Sequence, residues 1–211
     1  FERDLATCTG TAYAVATMNG TAALHICLLL AGVKAADEVL MPTLTFIATA
    51  NAVSYIAAIP NFVDSEPISL GIDASKLDAY LVHTAKIVDG VCVNRITGAT
   101  IRAMVVMHVF GHPSDLDALA EVAARWKFVL IEEAAESLGS SYRGRHTGNV
   151  GTVSALSFNG NKVITTGGGG AVLTNDPILA RRAKHLTTTA RTPHRWNFLH
   201  DEIGYNYRLP N

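Results

Sequence analysis

Two long stretches of this 211-residue chain, residues 5–33 and 40–63, contain no Asp, Glu, Lys or Arg. Such segments are poorly suited to a wetted surface, so much of the first third of the chain must be enclosed by the rest. Neither is a membrane span, which needs about 20 predominantly apolar residues. The first is interrupted by threonines, Asn19, Gly20 and His25, and the second by Pro42, Pro60, Asn51, Asn61 and three threonines. Composition agrees with enclosure. The chain is 49% hydrophobic and only 17% charged, against about 25% charged in an ordinary soluble protein. Its 17 basic and 18 acidic residues give a formal charge of −1, which argues against a nucleic-acid or membrane-surface binder. Cys8, Cys27 and Cys92 are widely spaced with no C-x-x-C pair. They are expected to be buried free thiols rather than a zinc site or a disulfide framework.

The apolar pattern alternates short runs with longer periodic segments. Strands are predicted at 37–41, 60–63, 102–107, 128–131, 153–158 and 171–174. Helices are predicted at 22–31, 45–57, from Asp73 onward, at 114–126 with Ser114 or Asp115 as cap, and at 177–186. Strand alternating with helix gives βαβ units: an α/β fold with a mostly parallel sheet and helices on both faces. Residues 83–101 fit this rhythm badly and are expected to be an irregular excursion. The opening Phe-Glu-Arg-Asp reads as the inside of an amphipathic helix, and the chain stops at Leu-Pro-Asn211 without a cap. Both ends are therefore expected to be cut from a longer parent. The opening lacks the basic-then-apolar start of a signal peptide, so a cytoplasmic location is expected.

Ligands in such sheets sit beyond the carboxyl ends of the strands, which directs attention to four features. Lys162 lies between a strand end and the run Gly167 to Gly170. With Phe158 before it and Val163 and Ile164 after it, the lysine is expected in apolar surroundings that disfavour its ammonium, as an amine nucleophile requires. Asn19-Gly20-Thr21 opens a buried helix, where free amides and the helix dipole suit a phosphate; simple N-capping explains the same residues equally well. Glu132, Glu133 and Glu136 follow a strongly apolar strand, and their mutual repulsion raises the pKa of at least one unless a cation partners it. Phe46 is a flat aromatic just past a strand end. The two commonest nucleotide-loop patterns are absent. An amine, a phosphate cradle, a carboxylate and an aromatic face together suit one cofactor, pyridoxal 5′-phosphate (PLP).

The motifs Asn19-Gly-Thr-Ala-Ala-Leu24, Asp37-Glu-Val-Leu-Met-Pro-Thr-Leu-Thr-Phe46, Glu132-Glu-Ala-Ala-Glu-Ser-Leu-Gly139, Ser157-Phe-Asn-Gly-Asn-Lys162 and Gly204-Tyr-Asn-Tyr-Arg208 resemble those of the DegT/DnrJ/EryC1/StrS sugar aminotransferases. The resemblance implies the large domain of a type I PLP-dependent transferase over residues 1–211, truncated at both ends and lacking the family's smaller C-terminal domain. Lys162 would form the Schiff base. Ser157, the Gly20–Thr21 backbone and the Thr21 hydroxyl would hold the phosphate, and Phe46 would stack on the ring. Glu133 would meet the pyridine nitrogen and Glu136 would lie near the ring hydroxyl. Asn206 would reach a neighbour's phosphate, making a homodimer with shared sites. A lysine at position 162, where a dehydratase branch carries histidine, implies amino transfer in two half-reactions. L-Glutamate would be the donor and a nucleotide-linked 4-keto-deoxysugar the acceptor. The segment Thr165-Thr-Gly-Gly-Gly-Gly170 with His200-Asp-Glu-Ile-Gly204 is similar to enzymes acting on UDP-4-keto-6-deoxy-N-acetylhexosamines, on routes to bacillosamine and legionaminic acid.

One residue departs from the pattern: the family's ring-nitrogen acid is aspartate, and here it is Glu133. The extra methylene adds about 1.5 Å of reach, and misplacement by about 1 Å can cost on the order of a hundredfold in rate. Two alternatives stay open on the sequence: a non-catalytic relative of the family, and a nucleotide-binding α/β protein using the glycine run. His108 and His112 have metal-like spacing, but Gly111 and Pro113 make this a loop after a strand, and no metal is expected.

Overall fold

A computed structural model describes residues 1–210. Its elements in chain order are α1 (Glu2–Thr9), β1 (Tyr13–Thr17), α2 (Gly20–Leu30), β2 (Glu38–Pro42), α3 (Ile47–Tyr55), β3 (Ile59–Val63), α4 (Ala74–Thr84), β4 (Ala85–Val88) and β5 (Val91–Asn94). They continue with β6 (Ile101–Met107), α5 (Leu116–Trp126), β7 (Val129–Glu133), β8 (Ser141–Tyr142), β9 (Arg145–His146), β10 (Val153–Ser157), β11 (Gly170–Thr174) and α6 (Pro177–Thr187). Seven strands form one sheet in the order β1-β11-β10-β7-β6-β2-β3. Only β11 runs against the others, pairing antiparallel with both β1 and β10.

The charge-free stretches now have a cause. Successive residues of a strand face opposite sides of the sheet, and both sides are covered. Val39, Met41, Ala103 and Val105 join one core with Leu24, Ile26 and Cys27 of α2, Val53 of α3 and Ala183 and Leu186 of α6. Leu40, Met104 and Val106 join the opposite core with Leu77 and Leu81 of α4 and Leu116 and Leu119 of α5. Leu5 of α1 packs with Ala14, Leu156 and Leu173. Helix α2 is buried along Ala22 to Leu28 because the sheet lies on one side and α3 and α6 lie beside it.

The caps follow the sequence. Asp73 and Asp115 cap α4 and α5, and Asp176 caps α6 ahead of Pro177. Ser114, the other candidate cap, turns inward and donates its hydroxyl to the Met107 carbonyl. Three expectations need correction. The segment 83–101 is not irregular: β4 and β5 pair through a two-residue Asp89-Gly90 turn with φ of 49° and 78°. Both residues occupy the left-handed region that such tight hairpins require. Strand β1, Tyr13–Thr17, is absent from the predicted set, since its small alternating residues give a weak signal. Cys8 is exposed rather than buried. Cys27 and Cys92 are buried. Burial pushes the Cys27 thiol up, and burial with the nearby Glu38 pushes Cys92 up to about 11. Among the described residues no helix is long and apolar enough to cross a membrane.

Candidate active site

The carboxyl ends of β1, β6, β7 and β10 converge on a cavity of about 290 Å³, lined by Asn19, Gly20, Thr21, Phe46, Met107, Glu133, Ser157, Asn159, Asn161 and Lys162 among others. This is near the small end of the range for ligand pockets and suits one cofactor-sized molecule. Six of the eight residues proposed from the sequence as cofactor contacts line the cavity: Gly20, Thr21, Phe46, Glu133, Ser157 and Lys162.

The corner of the cavity at the start of α2 is built by close backbone approach. Asn19 caps α2, its side chain accepting the Ala22 amide at 2.7 Å and its carbonyl the Ala23 amide at 3.1 Å. Asn19 serves the helix as its cap, while Gly20 and Thr21 line the cavity at the positive end of α2. A Cβ at Gly20 would lie 2.7 Å from the Ser157 Cβ, and one at Gly170 would lie 2.5 Å from the Asn19 carbonyl. Only glycine lets the α2 N-terminus sit against the end of β10.

The wall also carries an amine and a carboxyl side chain, those of Lys162 and Glu133. Glu133 ends β7, and its Oε1 accepts the Ala135 amide at 3.1 Å. Burial pushes its carboxyl above the usual range; the Ala135 amide, Lys162 and His108 oppose this, and Glu136 adds to it. Lys162 extends from the loop after β10 and is nearly buried. Its Nζ lies 3.1 Å from Glu136 Oε1 and 5.6 Å from the centre of the Phe46 ring.

The surroundings of Lys162 differ from expectation. Val163 and Ile164 are exposed, so they do not wall it in. Phe158 anchors the loop instead: it is buried, and its carbonyl accepts the Thr165 hydroxyl and the Thr166 amide. The three carboxylates do not crowd one another. Glu132 pairs with His108, Glu133 faces the cavity, and Glu136 is held between Lys162 and the Phe110 amide. Glu136 touches the site through Lys162 and is not among the residues that form the wall. Asn206 is not brought to the cavity. It borders another cleft with Met18 and Arg208, where its backbone bridges to Thr188.

Sequence reasoning missed Asn159 and Asn161, whose place between Ser157 and Lys162 was the available signal, and Thr49 and Met107, which carried none. His108 belongs to the fold behind the site: its ring bonds Glu132 through Nε2 and the Ser114 amide through Nδ1. One three-residue group with metal-like spacing exists among the described residues, His185, Asp201 and Glu202. Arg182 already grips Glu202 with both guanidinium nitrogens, so the group reads as an ion-pair cluster tying the C-terminal segment to α6.

Comparison with known proteins adds the lineage. The model of the DegT/DnrJ/EryC1/StrS aminotransferase family matches residues 1–211, and the chain belongs to that family. It is 40% identical, over all of its length and 53% of the relative's, to a GDP-perosamine synthase of Escherichia coli O157:H7. It is 39% identical, over 90% of its length and 41% of the relative's, to an L-glutamine:2-deoxy-scyllo-inosose aminotransferase of Streptoalloteichus tenebrarius. The crystal structure of S. venezuelae DesV in complex with a ketimine intermediate superposes with a TM-score of 0.84 at 33% identity, covering 99% of this chain and 51% of DesV. The chain thus spans about half the length of the curated relatives it matches. The fold expected from the sequence, a type I PLP-transferase large domain, is the one observed, and aminotransferases of this family depend on PLP.

Proposed function

From that membership we propose that the chain is the cofactor-binding part of a PLP-dependent aminotransferase. It would place an amino group on the 4-keto carbon of a nucleotide-linked keto-deoxysugar. One observation carries the reading: an amine, a buried carboxylate and a helix N-terminus walled by Gly20, Thr21 and Ser157 line a single cavity. The residues fit PLP. The glycine that permits the α2–β10 contact leaves a phosphate-sized corner without a side chain, and a cation and an acid stand in the same enclosure.

When bound, PLP supplies an aldehyde for an amine and a ring that withdraws electrons from the substrate carbon. Lys162 would be the amine that joins it and, once released, the base that moves the proton at the substrate carbon. Glu133 would hold the proton at the ring nitrogen. Phe46 would cover one ring face, and Thr21, Gly20 and Ser157 would fix the phosphate. Glu136 would keep the released Lys162 amine within reach. The finer reading rests on the motifs around Lys162 and His200: the sugar is a UDP-4-keto-6-deoxy-N-acetylhexosamine and L-glutamate is the donor. The working enzyme is a cytoplasmic homodimer in which Asn206 meets the neighbour's phosphate, and a smaller C-terminal domain completes each subunit.

The test is the colour of the holoprotein. The purified protein with PLP is expected to be yellow and to bleach with an amino donor, and Lys162→Ala to lack the Schiff-base band. Persistence of that band in Lys162→Ala sinks the lysine assignment. Colour that no amino donor bleaches sinks the aminotransferase reading.

A further inference from the structure

Behind the cavity, on the opposite side of the β7 backbone from Glu133, lies a wholly buried imidazole–carboxylate pair. Its side chains are fully shielded from solvent, with His108 Nε2 2.9 Å from Glu132 Oε2. Glu132 also accepts three backbone amides: Gly148 at 2.8 Å, Val150 at 2.7 Å and Gly151 at 2.5 Å. Burial alone would push its carboxyl up, but the His108 hydrogen bond and the amides of Gly151 and Gly148 hold it below the usual range. The Ser114 amide donates to His108 Nδ1 at 3.2 Å, which leaves the ring proton on Nε2, aimed at Glu132.

Each partner of this pair belongs to a segment that ends in the cavity. The His108 amide donates to the Glu133 carbonyl at 3.2 Å, and Ser114 Oγ donates to the Met107 carbonyl at 2.9 Å. Residues 148–151 lead into β10, which ends at Ser157. The turn after His108 presents the Phe110 amide to Glu136, 3.2 Å away, and Glu136 holds Lys162. One buried network therefore joins the ends of β6 and β7, the entry to β10 and the turn that steadies the lysine.

We infer that the His108–Glu132 pair is a positioning device for Glu133, fixing the acid at the cofactor ring nitrogen by tying together the strand ends on either side of it. This rests on the reading under Proposed function and adds two residues to it. Glu133 reaches past the length of an aspartate, so its aim depends more heavily on the backbone that carries it. A displacement of about 1 Å at such a site costs on the order of a hundredfold in rate, and buried networks of this kind hold geometry only while every member is satisfied.

The experiment uses holoprotein loaded with PLP labelled with 15N in the ring, read by NMR beside steady-state kinetics. In the native protein the ring nitrogen is expected to be protonated. In His108→Ala its resonance should move toward the unprotonated position, and kcat should fall by roughly a hundredfold with KM changed by no more than about twofold. His108→Gln, which still offers a donor to Glu132, should recover most of both. An unchanged ring nitrogen in a folded, coloured His108→Ala protein overturns the inference, as does equal impairment of the Ala and Gln variants. If His108→Ala does not fold, Glu132→Gln is read instead, because its NH2 group opposes the amides of Gly148 to Gly151. The same shift supports the inference and its absence overturns it. A native protein that takes up no PLP overturns the functional reading as well, so the two failures are distinguishable.

Discussion

Two buried glutamates sit at opposite ends of the same sheet and teach opposite lessons. Glu38 opens β2 at the amino end. Its carboxylate accepts Asn61 Nδ2 at 2.8 Å, Asn94 Nδ2 at 2.9 and 3.2 Å, and Thr97 Oγ1 at 2.5 Å. Glu133 closes β7 at the carboxyl end, with one backbone amide on Oε1, and lines the cavity. The first is surrounded by donors and pins the β4–β5 excursion to the sheet. The second has the Ala135 amide as its hydrogen-bond donor, and burial lifts its carboxyl. A saturated buried acid reads as architecture; an under-supplied one facing a cavity reads as chemistry.

The sharpest way to break this contrast is to neutralise each acid. Glu133→Gln is expected to lower kcat by about a thousandfold while stability stays within about 1 kcal/mol of the native protein. Glu38→Ala should do the reverse. It should cost about 3 kcal/mol in chemical denaturation, because Asn61, Asn94 and Thr97 lose their acceptor together, and PLP affinity should stay within about twofold per site in the folded fraction. If Glu38→Ala abolished PLP binding in folded protein, the two ends would not be separable. Gly20→Ala is expected to cost about 1–3 kcal/mol and to weaken PLP uptake, measured by cofactor titration, since the new Cβ would press on Ser157. Asn94→Ala should cost about 1 kcal/mol and leave cofactor binding alone.

The smallest effect is in pH. The folded-state pKa of Glu133 is raised, so between the unfolded value and that raised value the native state binds more protons than the unfolded chain. Stability contributed by this group therefore grows as pH falls through that window. Glu132 has the opposite sign: its folded value is depressed, and its contribution, present above the unfolded value, is lost as pH falls through the folded one. Subtracting the melting profile of Glu133→Gln from that of the native protein should leave a difference that moves in favour of the native protein as the solution is acidified from neutral. A difference that moves in favour of Glu133→Gln would contradict the burial of Glu133.

The sequence made the strand–helix rhythm legible because the core strands are apolar on both faces, and residues immediately after the strands named most of the cavity. What it left out has physical reasons. The Asp89-Gly90 hairpin has a turn dipeptide between two apolar runs, but it is a short antiparallel insertion in an otherwise strand–helix rhythm. Glu132, Glu133 and Glu136 could not be given separate fates from their spacing alone, since the partners that separate them, His108 and Lys162, lie 24 and 26 residues away from Glu132 and Glu136. Strand alternation predicts that Glu132 and Glu133 face opposite sides, yet it does not say which side holds the cavity. Asn206 is the reverse case, a residue whose expected role requires a second copy of the chain.

The one reversed strand has a further consequence. Because β10 and β11 are neighbours running in opposite directions, with Ser157 opposite Gly170, the segment bearing Lys162 leaves the sheet and returns to it at nearly the same spot. The Lys162 amine hangs from a closed loop moored at both feet. A residue added to or removed from that loop would leave the register of Ser157 against Gly170, and so the sheet, in place.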